Sequence, residues 1–199
     1  MTLVGQSPRA VVHDLVAGVV PLDEHEARDK ATTLRWVRSG APLWRIARPA
    51  TPDQHLCVYF ALFDQVRRTV LLVDHVKAGL WLLPGGHVDE GEDPRATVLR
   101  EASEELRIDG EFHSCFGDDP LFLTVTKTHG EHSHTDVSFW FVLAADQDIR
   151  IEADPREANE VRWFALDDPT QWAHDRFDPH MARFRNKLLA RLGTPVLVG

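Results

Sequence analysis

Glu101, Glu104 and Glu105 stand three and four residues apart. On a helix, which turns about 100° per residue, this spacing sets all three within roughly one quadrant. Carboxylates crowded on one face repel, and a hard divalent cation such as Mg2+, with oxygen ligands at about 2.1 Å, resolves the repulsion. The plainer alternative is a solvated surface on which Arg100 pairs with Glu104 and Glu104 with Arg107, each pair worth about 0.2–0.5 kcal/mol. The helix considered alone favours that surface; the residues before it shift the balance.

The element that positions these acids is predicted over about Pro94 to Arg107. Asp93 is suited to capping it, Pro94 to its first position, and Glu92 and Asp93 to the positive end of its dipole. Ala96, Leu99, Ser103 and Leu106 are expected to pack against a sheet, leaving the acidic face turned away from the core. Before the helix, Pro84-Gly85-Gly86 lets the backbone turn tightly and approach a ligand.

Short apolar runs predict strands at Leu56 to Phe63, Val70 to Val73 and Leu80 to Leu83, the first two forming a hairpin. Later strands are expected at Leu121 to Thr126, Val137 to Ala144 and Val161 to Ala165, and a final helix at about Pro179 to Leu192. Upstream, Val11, Val12, Leu15 and Val16, then Leu34, Trp36 and Val37, imply two helices broken at Pro21. Two prolines between Arg48 and Asp53 place a boundary there. Residues 1–47 form a helical extension and residues 48–199 the main domain. Interleaved strands and helices give an α/β or α+β class.

The stretch from Gly86 through Glu92 to Arg100-Glu101-Ala102-Ser103-Glu104-Glu105-Leu106-Arg107-Ile108 resembles the box of the Nudix (MutT-type) hydrolases, G-x5-E-x7-R-E-U-x-E-E-x-G-U with U aliphatic. Gly86, Glu92, Arg100, Glu101, Glu104, Glu105 and Ile108 fill their positions, and Ala102 is an acceptable small apolar residue. Arg107 departs, standing where the family has a glycine. That glycine ends the helix left-handed, which costs another residue about 1 kcal/mol or more, so a displaced helix end helped by Asp109-Gly110 is expected. Asn159 to Leu166 is similar, more weakly, to the family's late strand.

The resemblance implies an α/β/α sandwich with a mixed sheet, and hydrolysis of a diphosphate linkage in a nucleoside diphosphate derivative or nucleoside triphosphate. It implies Mg2+, with Mn2+ as a substitute, held by Glu104, Glu105 and the carbonyl of Gly85. Glu101 would hold the metal or activate water, Glu92 would assist, and Arg100 would position the carboxylates. Family members also use a glutamate on a distant loop as general base, for which Glu160 ranks ahead of Glu157.

Lys77, His75 and His87 flank the glycine turn and are candidate phosphate contacts. His129, His132 and His134, between Thr128 and Thr135, are candidates for substrate contact or proton transfer, with a solvated loop as the plainer reading. The six tryptophans read mostly as packing, and no spacing selects one to stack on a base.

A net charge of -9 argues against a nucleic-acid polymer as partner and leaves room for a small anionic substrate brought in by a metal. Cys57 and Cys115 are too few for a disulfide framework or cysteine zinc site, and both are expected to be buried free thiols. With no signal segment and no run of about 18 apolar residues, a cytoplasmic location away from membranes is expected. The N-terminal helices would shape the pocket or form a homodimer interface. Two alternatives differ in class: a non-catalytic domain of the same fold that senses a phosphorylated metabolite, and an isoprenoid-type isomerase using an acid and a cysteine.

Overall fold

The computed structural model describes residues 5–48, 50–128, 133–172 and 176–193. In chain order its elements are α1 (Pro8–Gly18), α2 (Glu24–Arg38), β1 (Gln54–Asp64), β2 (Thr69–His75), β3 (Trp81–Leu82), β4 (Gly85–His87), α3 (Pro94–Leu106), β5 (Glu111–Phe112), β6 (Phe122–Lys127), β7 (Thr135–Ala144), β8 (Ala158–Ala165) and α4 (Met181–Arg191), with a 3-10 turn at Pro169–Trp172 before α4. The eight strands form one sheet, and the class is α/β as expected. The strands β4 and β5 and the 3-10 turn escaped the sequence reading, being too short to show a period.

Two compact units divide the chain. The first comprises Met1–Tyr59, Gly85–Val98 and Asp118–Phe141. Here β4 pairs antiparallel with β1, Cys57 opposite His87 and Tyr59 opposite Gly85. Gly85 is glycine for a steric reason: a Cβ there would lie 2.0 Å from the carbonyl oxygen of Val58. In the same unit β6 pairs with β7 from Phe122↔Trp140 to Lys127↔Thr135.

The N-terminal helices pack on that ladder. Val11, Val12, Leu15, Val16 and Val37 are buried between them or beneath them. Glu26, fully buried on α2, accepts the Leu123 N–H at 3.1 Å, and Asp29 accepts that of Val125 at 3.3 Å. These two N–H groups belong to alternate residues of β6, so the helix carboxylates satisfy donors the β7 ladder leaves unused. Glu26 also accepts the Leu22 N–H at 2.6 Å, while Asp23 caps α2 by accepting the Glu26 N–H at 2.8 Å.

The second unit comprises Phe60–Pro84, Leu99–Gly117 and Val142–Gly199. β2 pairs with β8 from Thr69↔Ala165 to His75↔Ala158 and with β3 on its other side, and Leu71, Leu72 and Phe164 are buried there. Asp64 organises the β1–β2 turn: its carboxylate accepts the N–H groups of Val66, Arg67 and Gln147, each at 2.9 Å. Burial pushes this carboxyl up, but those hydrogen bonds and the Arg67 guanidinium bring it, on balance, below its ordinary value.

Candidate functional site

The start of α3 follows its local chemistry. Asp93 accepts the Arg95 N–H at 2.9 Å, Pro94 opens the helix, and the Glu92 carboxylate accepts the Thr97 hydroxyl at 2.8 Å and the Asp89 N–H at 3.3 Å. The buried stripe differs from expectation. Thr97, Val98, Ala102 and Leu106 are buried, whereas Ala96, Leu99 and Ser103 are exposed. The helix is therefore rotated by about one residue, because Val98, Ala102 and Leu106 make a continuous four-residue row of apolar side chains. One consequence is that the acidic face does not turn wholly outward: the Glu101 side chain is only 12% exposed, while that of Glu104 is 58% exposed.

Arg100 draws two of these acids together. Its Nη1 donates to Glu101 Oε1 at 2.8 Å and to Glu104 Oε2 at 3.3 Å. The Glu105 carbonyl accepts the Asp154 N–H at 2.8 Å, tying the last turn of α3 to the segment before β8. Two carboxylates converging on a single cation make a hard-oxygen donor set that suits Mg2+.

The helix ends at Leu106 and is not displaced. Arg107 itself takes the left-handed conformation, with φ +57°, and the Ile108 N–H closes back onto the Ala102 carbonyl at 3.3 Å. Burial of Ile108 holds the arginine in this conformation. Gly110 is needed for packing, since a Cβ there would come within 2.9 Å of Leu143 Cδ1.

Glu157 and Glu160 make different contacts. Glu157 binds the Lys77 ammonium at 3.0 and 3.2 Å and lies 3.6 Å from His75 Nε2. Glu160 binds the Arg162 guanidinium at 2.7 Å and lines a 490 Å³ cavity with Asp74, Trp81, Arg176 and Phe177. Burial holds His75 below the ordinary imidazole range. Arg162 lies 5.0 Å over the ring of Trp81.

His87 and His134 belong to a group the sequence reading did not assemble. His55, His87, His134 and Asp136 each offer a ligand atom, and all four atoms lie within 4.8 Å of one another. Three strand ends bring them together, His55 on β1, His87 on β4, and His134 and Asp136 at the start of β7. His55 and Cys57 share a face of β1, and Cys57 is the register partner of His87. Burial, then Arg45 and the neighbouring imidazoles, pushes His87 down to about 3, so this ring is neutral at physiological pH. His129 and His132 lie outside the described residues.

Neither cysteine is in a disulfide. Cys57 is buried and donates to Asp136 Oδ1 at 3.3 Å, but Cys115 is exposed, contrary to expectation, because it falls in the turn after His113 and not in a strand. Among the described residues no helix is long and apolar enough to cross a membrane.

Comparisons with known proteins agree with this architecture. The NUDIX domain family model matches residues 53–188, well over half of the chain. The chain is 33% identical over 92 residues to the nucleoside diphosphate-linked moiety X motif 6 protein of Xenopus laevis, covering 45% of this chain and 41% of that one. It is 31% identical over 99 residues to the RNA pyrophosphohydrolase of Roseobacter denitrificans, covering 44% of this chain and 61% of that one. The chain thus spans only about half the length of these relatives. A NUDIX-family hydrolase from Clostridium perfringens superposes with a TM-score of 0.54 at 22% identity, covering 69% of this chain and 97% of that one, which is a likeness of fold. With Arg100, Glu101, Glu104 and Glu105 in order on α3 and the family model matching residues 53–188, this chain belongs to the NUDIX family.

Proposed function

We propose that the chain hydrolyses a phosphoanhydride bond in a small nucleoside diphosphate derivative or nucleoside triphosphate, using Mg2+ or, as a substitute, Mn2+. The observation that carries this reading is the convergence of the Glu101 and Glu104 carboxylates on Arg100, at box spacing within the matched segment. Glu101, Glu104 and Glu105 would hold the ion. When bound, the ion neutralises charge on the bridging phosphates and lowers the pKa of water.

The side chains of this unit then have distinct tasks. Arg100 keeps Glu101 and Glu104 oriented and limits their mutual repulsion. Glu101, less exposed than Glu104, would accept a proton from water near the ion. Glu160 is the second candidate base, and removal of its carboxylate tests that role, since Arg162 competes for it. Lys77, paired with Glu157, remains a candidate substrate contact. The net charge of -9 favours a small substrate over an RNA end.

The test is a panel of nucleoside triphosphates, dinucleoside polyphosphates, nucleotide sugars and 5′-triphosphorylated RNA, assayed with Mg2+ or Mn2+ and with chelator. Release of phosphate or mononucleotide from one class, abolished by chelator and by Glu104→Gln with Glu105→Gln, supports the proposal. Binding of a panel member without turnover would instead identify a sensor domain.

A further inference from the structure

Two histidines of the first unit have one ring nitrogen tied down and the other turned inward. His55 Nδ1 lies 2.9 Å from the Pro52 carbonyl, which only accepts, so Nδ1 carries the proton and Nε2 carries the lone pair. That Nε2 is buried and has no hydrogen-bond partner among the described residues, although Asp136 Oδ1 lies 3.5 Å away. His134 repeats the pattern. Its Nδ1 lies 3.1 Å from Thr128 Oγ1, a hydroxyl that itself donates to the His134 carbonyl, and its Nε2 lies 3.2 Å from the same Asp136 oxygen. The two rings stack with centroids 5.0 Å apart and planes 19° apart.

An imidazole whose Nδ1–H is held by an oxygen acceptor, so that the Nε2 lone pair is turned toward an ion, is the arrangement of metal-ligating histidines. Two of the spacings agree as well, within a group whose ligand atoms span up to 4.8 Å. Around a tetrahedral ion bound at about 2.0–2.1 Å, neighbouring ligand atoms stand about 3.3–3.4 Å apart, and the distances from Asp136 to His55 and His134 are 3.5 and 3.2 Å. A residue with its full side chain buried and an unpartnered polar atom costs stability unless something meets that atom.

We infer that His55, His87, His134 and Asp136 form a binding site for a transition-metal ion of the zinc class. Three imidazole nitrogens and one carboxylate oxygen favour Zn2+, Co2+ or Ni2+ over Mg2+, which prefers oxygen donors and keeps its waters. Cys57 donates at 3.3 Å to Asp136 Oδ1, the same oxygen that faces His55 and His134, and so fixes that carboxylate oxygen beside the two rings.

Arg45 presents a positive charge to this group. Its Nη1 lies 3.1 Å from His87 Nε2. A guanidinium only donates, so the bond needs a lone pair on Nε2. If the ion takes Nε2, it competes for that lone pair directly. If it takes Nδ1, the proton moves to Nε2 and the bond to Arg45 is lost. Either way Arg45 must withdraw, and removing it should tighten metal binding.

The experiment loads the purified full chain with Zn2+ or Co2+ in the presence of excess Mg2+. Metal content after dialysis, the visible d–d absorption of Co2+ and calorimetric titration are the readouts. One equivalent of Zn2+, a tetrahedral Co2+ spectrum, at least tenfold weaker binding in His134→Ala and Asp136→Asn, tighter binding in Arg45→Ala and unchanged binding in Glu104→Gln with Glu105→Gln would support the site. His134 is partly exposed, so circular dichroism of its metal-free variant separates lost ligation from lost folding. Absence of stoichiometric binding by the unaltered chain, an octahedral Co2+ spectrum, or full binding by a folded His134→Ala variant would overturn the inference. Because the box variant retains this site, failure here is separate from failure of the proposed hydrolysis.

Discussion

The acids of α3 and the histidine group of β1, β4 and β7 are two ways of collecting donors. On α3 the donors are carboxylates from one turn and a half of helix, with Glu104 largely exposed and Arg100 damping the repulsion. On the strands the donors are mostly nitrogen, with His55 wholly buried and Asp136 and His134 only 16% and 18% exposed. A hard, strongly hydrated ion suits the first, since it can keep waters on its solvent side. The second is largely buried and ties down the rings of His55 and His134 through Nδ1, which suits an ion that sheds its waters. The two groups thus differ in both exposure and donor type.

The sharpest way to break this contrast is to neutralise the helix acids. Glu104→Gln with Glu105→Gln should lower metal-dependent turnover by about 10³-fold, the scale of losing a metal's charge stabilisation. Unchanged kcat in a steady-state assay would mean that α3 carries a solvated surface and nothing more.

The next largest effect falls on the strands. Glu26→Ala removes a buried carboxylate accepting from Leu123 and Leu22 and should cost about 2–3 kcal/mol in a denaturant titration. Hydrogen exchange should report the loss at β6. If the protection there is unchanged, α2 does not brace the ladder that ends at His134 and Asp136.

A smaller change of opposite sign sharpens the helix side. Arg107→Gly should stabilise the chain by about 0.5–1 kcal/mol, because the left-handed φ of +57° costs an arginine and not a glycine, offset in part by the glycine's freer unfolded chain. A lower melting temperature in the variant would show that the arginine side chain contributes more than its backbone costs.

The smallest effect concerns pH. His113 is buried against Phe63 and Phe116, and its Nδ1 accepts the Cys115 N–H at 3.2 Å. Burial holds it below the ordinary imidazole range. The unfolded chain therefore takes up the proton first as pH falls below about 6.5, so stability is full above that value and declines beneath it. His113→Asn keeps an acceptor without titrating and should flatten part of this decline; equal slopes in the two proteins would assign it elsewhere.

How far the sequence reached can be argued from single residues. Glu101, Glu104 and Glu105 were legible because helical period is local: three residues in one turn and a half share a face whatever the rest of the chain does. Asp93 and Pro94 marked the helix start for the same reason, and Pro84-Gly85-Gly86 marked a close backbone approach. The rotation of α3 was missed because the choice between Leu99 and Val98 as the inward residue depends on what the helix packs against.

Tertiary structure alone decided the rest. His55 and His134 are 79 positions apart in sequence, and His87 lies between them. Pairing of β4 with β1 placed His87 beside the face that carries His55 and Cys57, and no local period encodes that register. Arg107 shows the same rule in reverse, since its sequence identity argued for a displaced helix end and the packing of Ile108 overruled it. Short-range geometry belongs to the residues themselves; convergence of distant side chains is bought by burial, whose energy exceeds the local preferences it overrides.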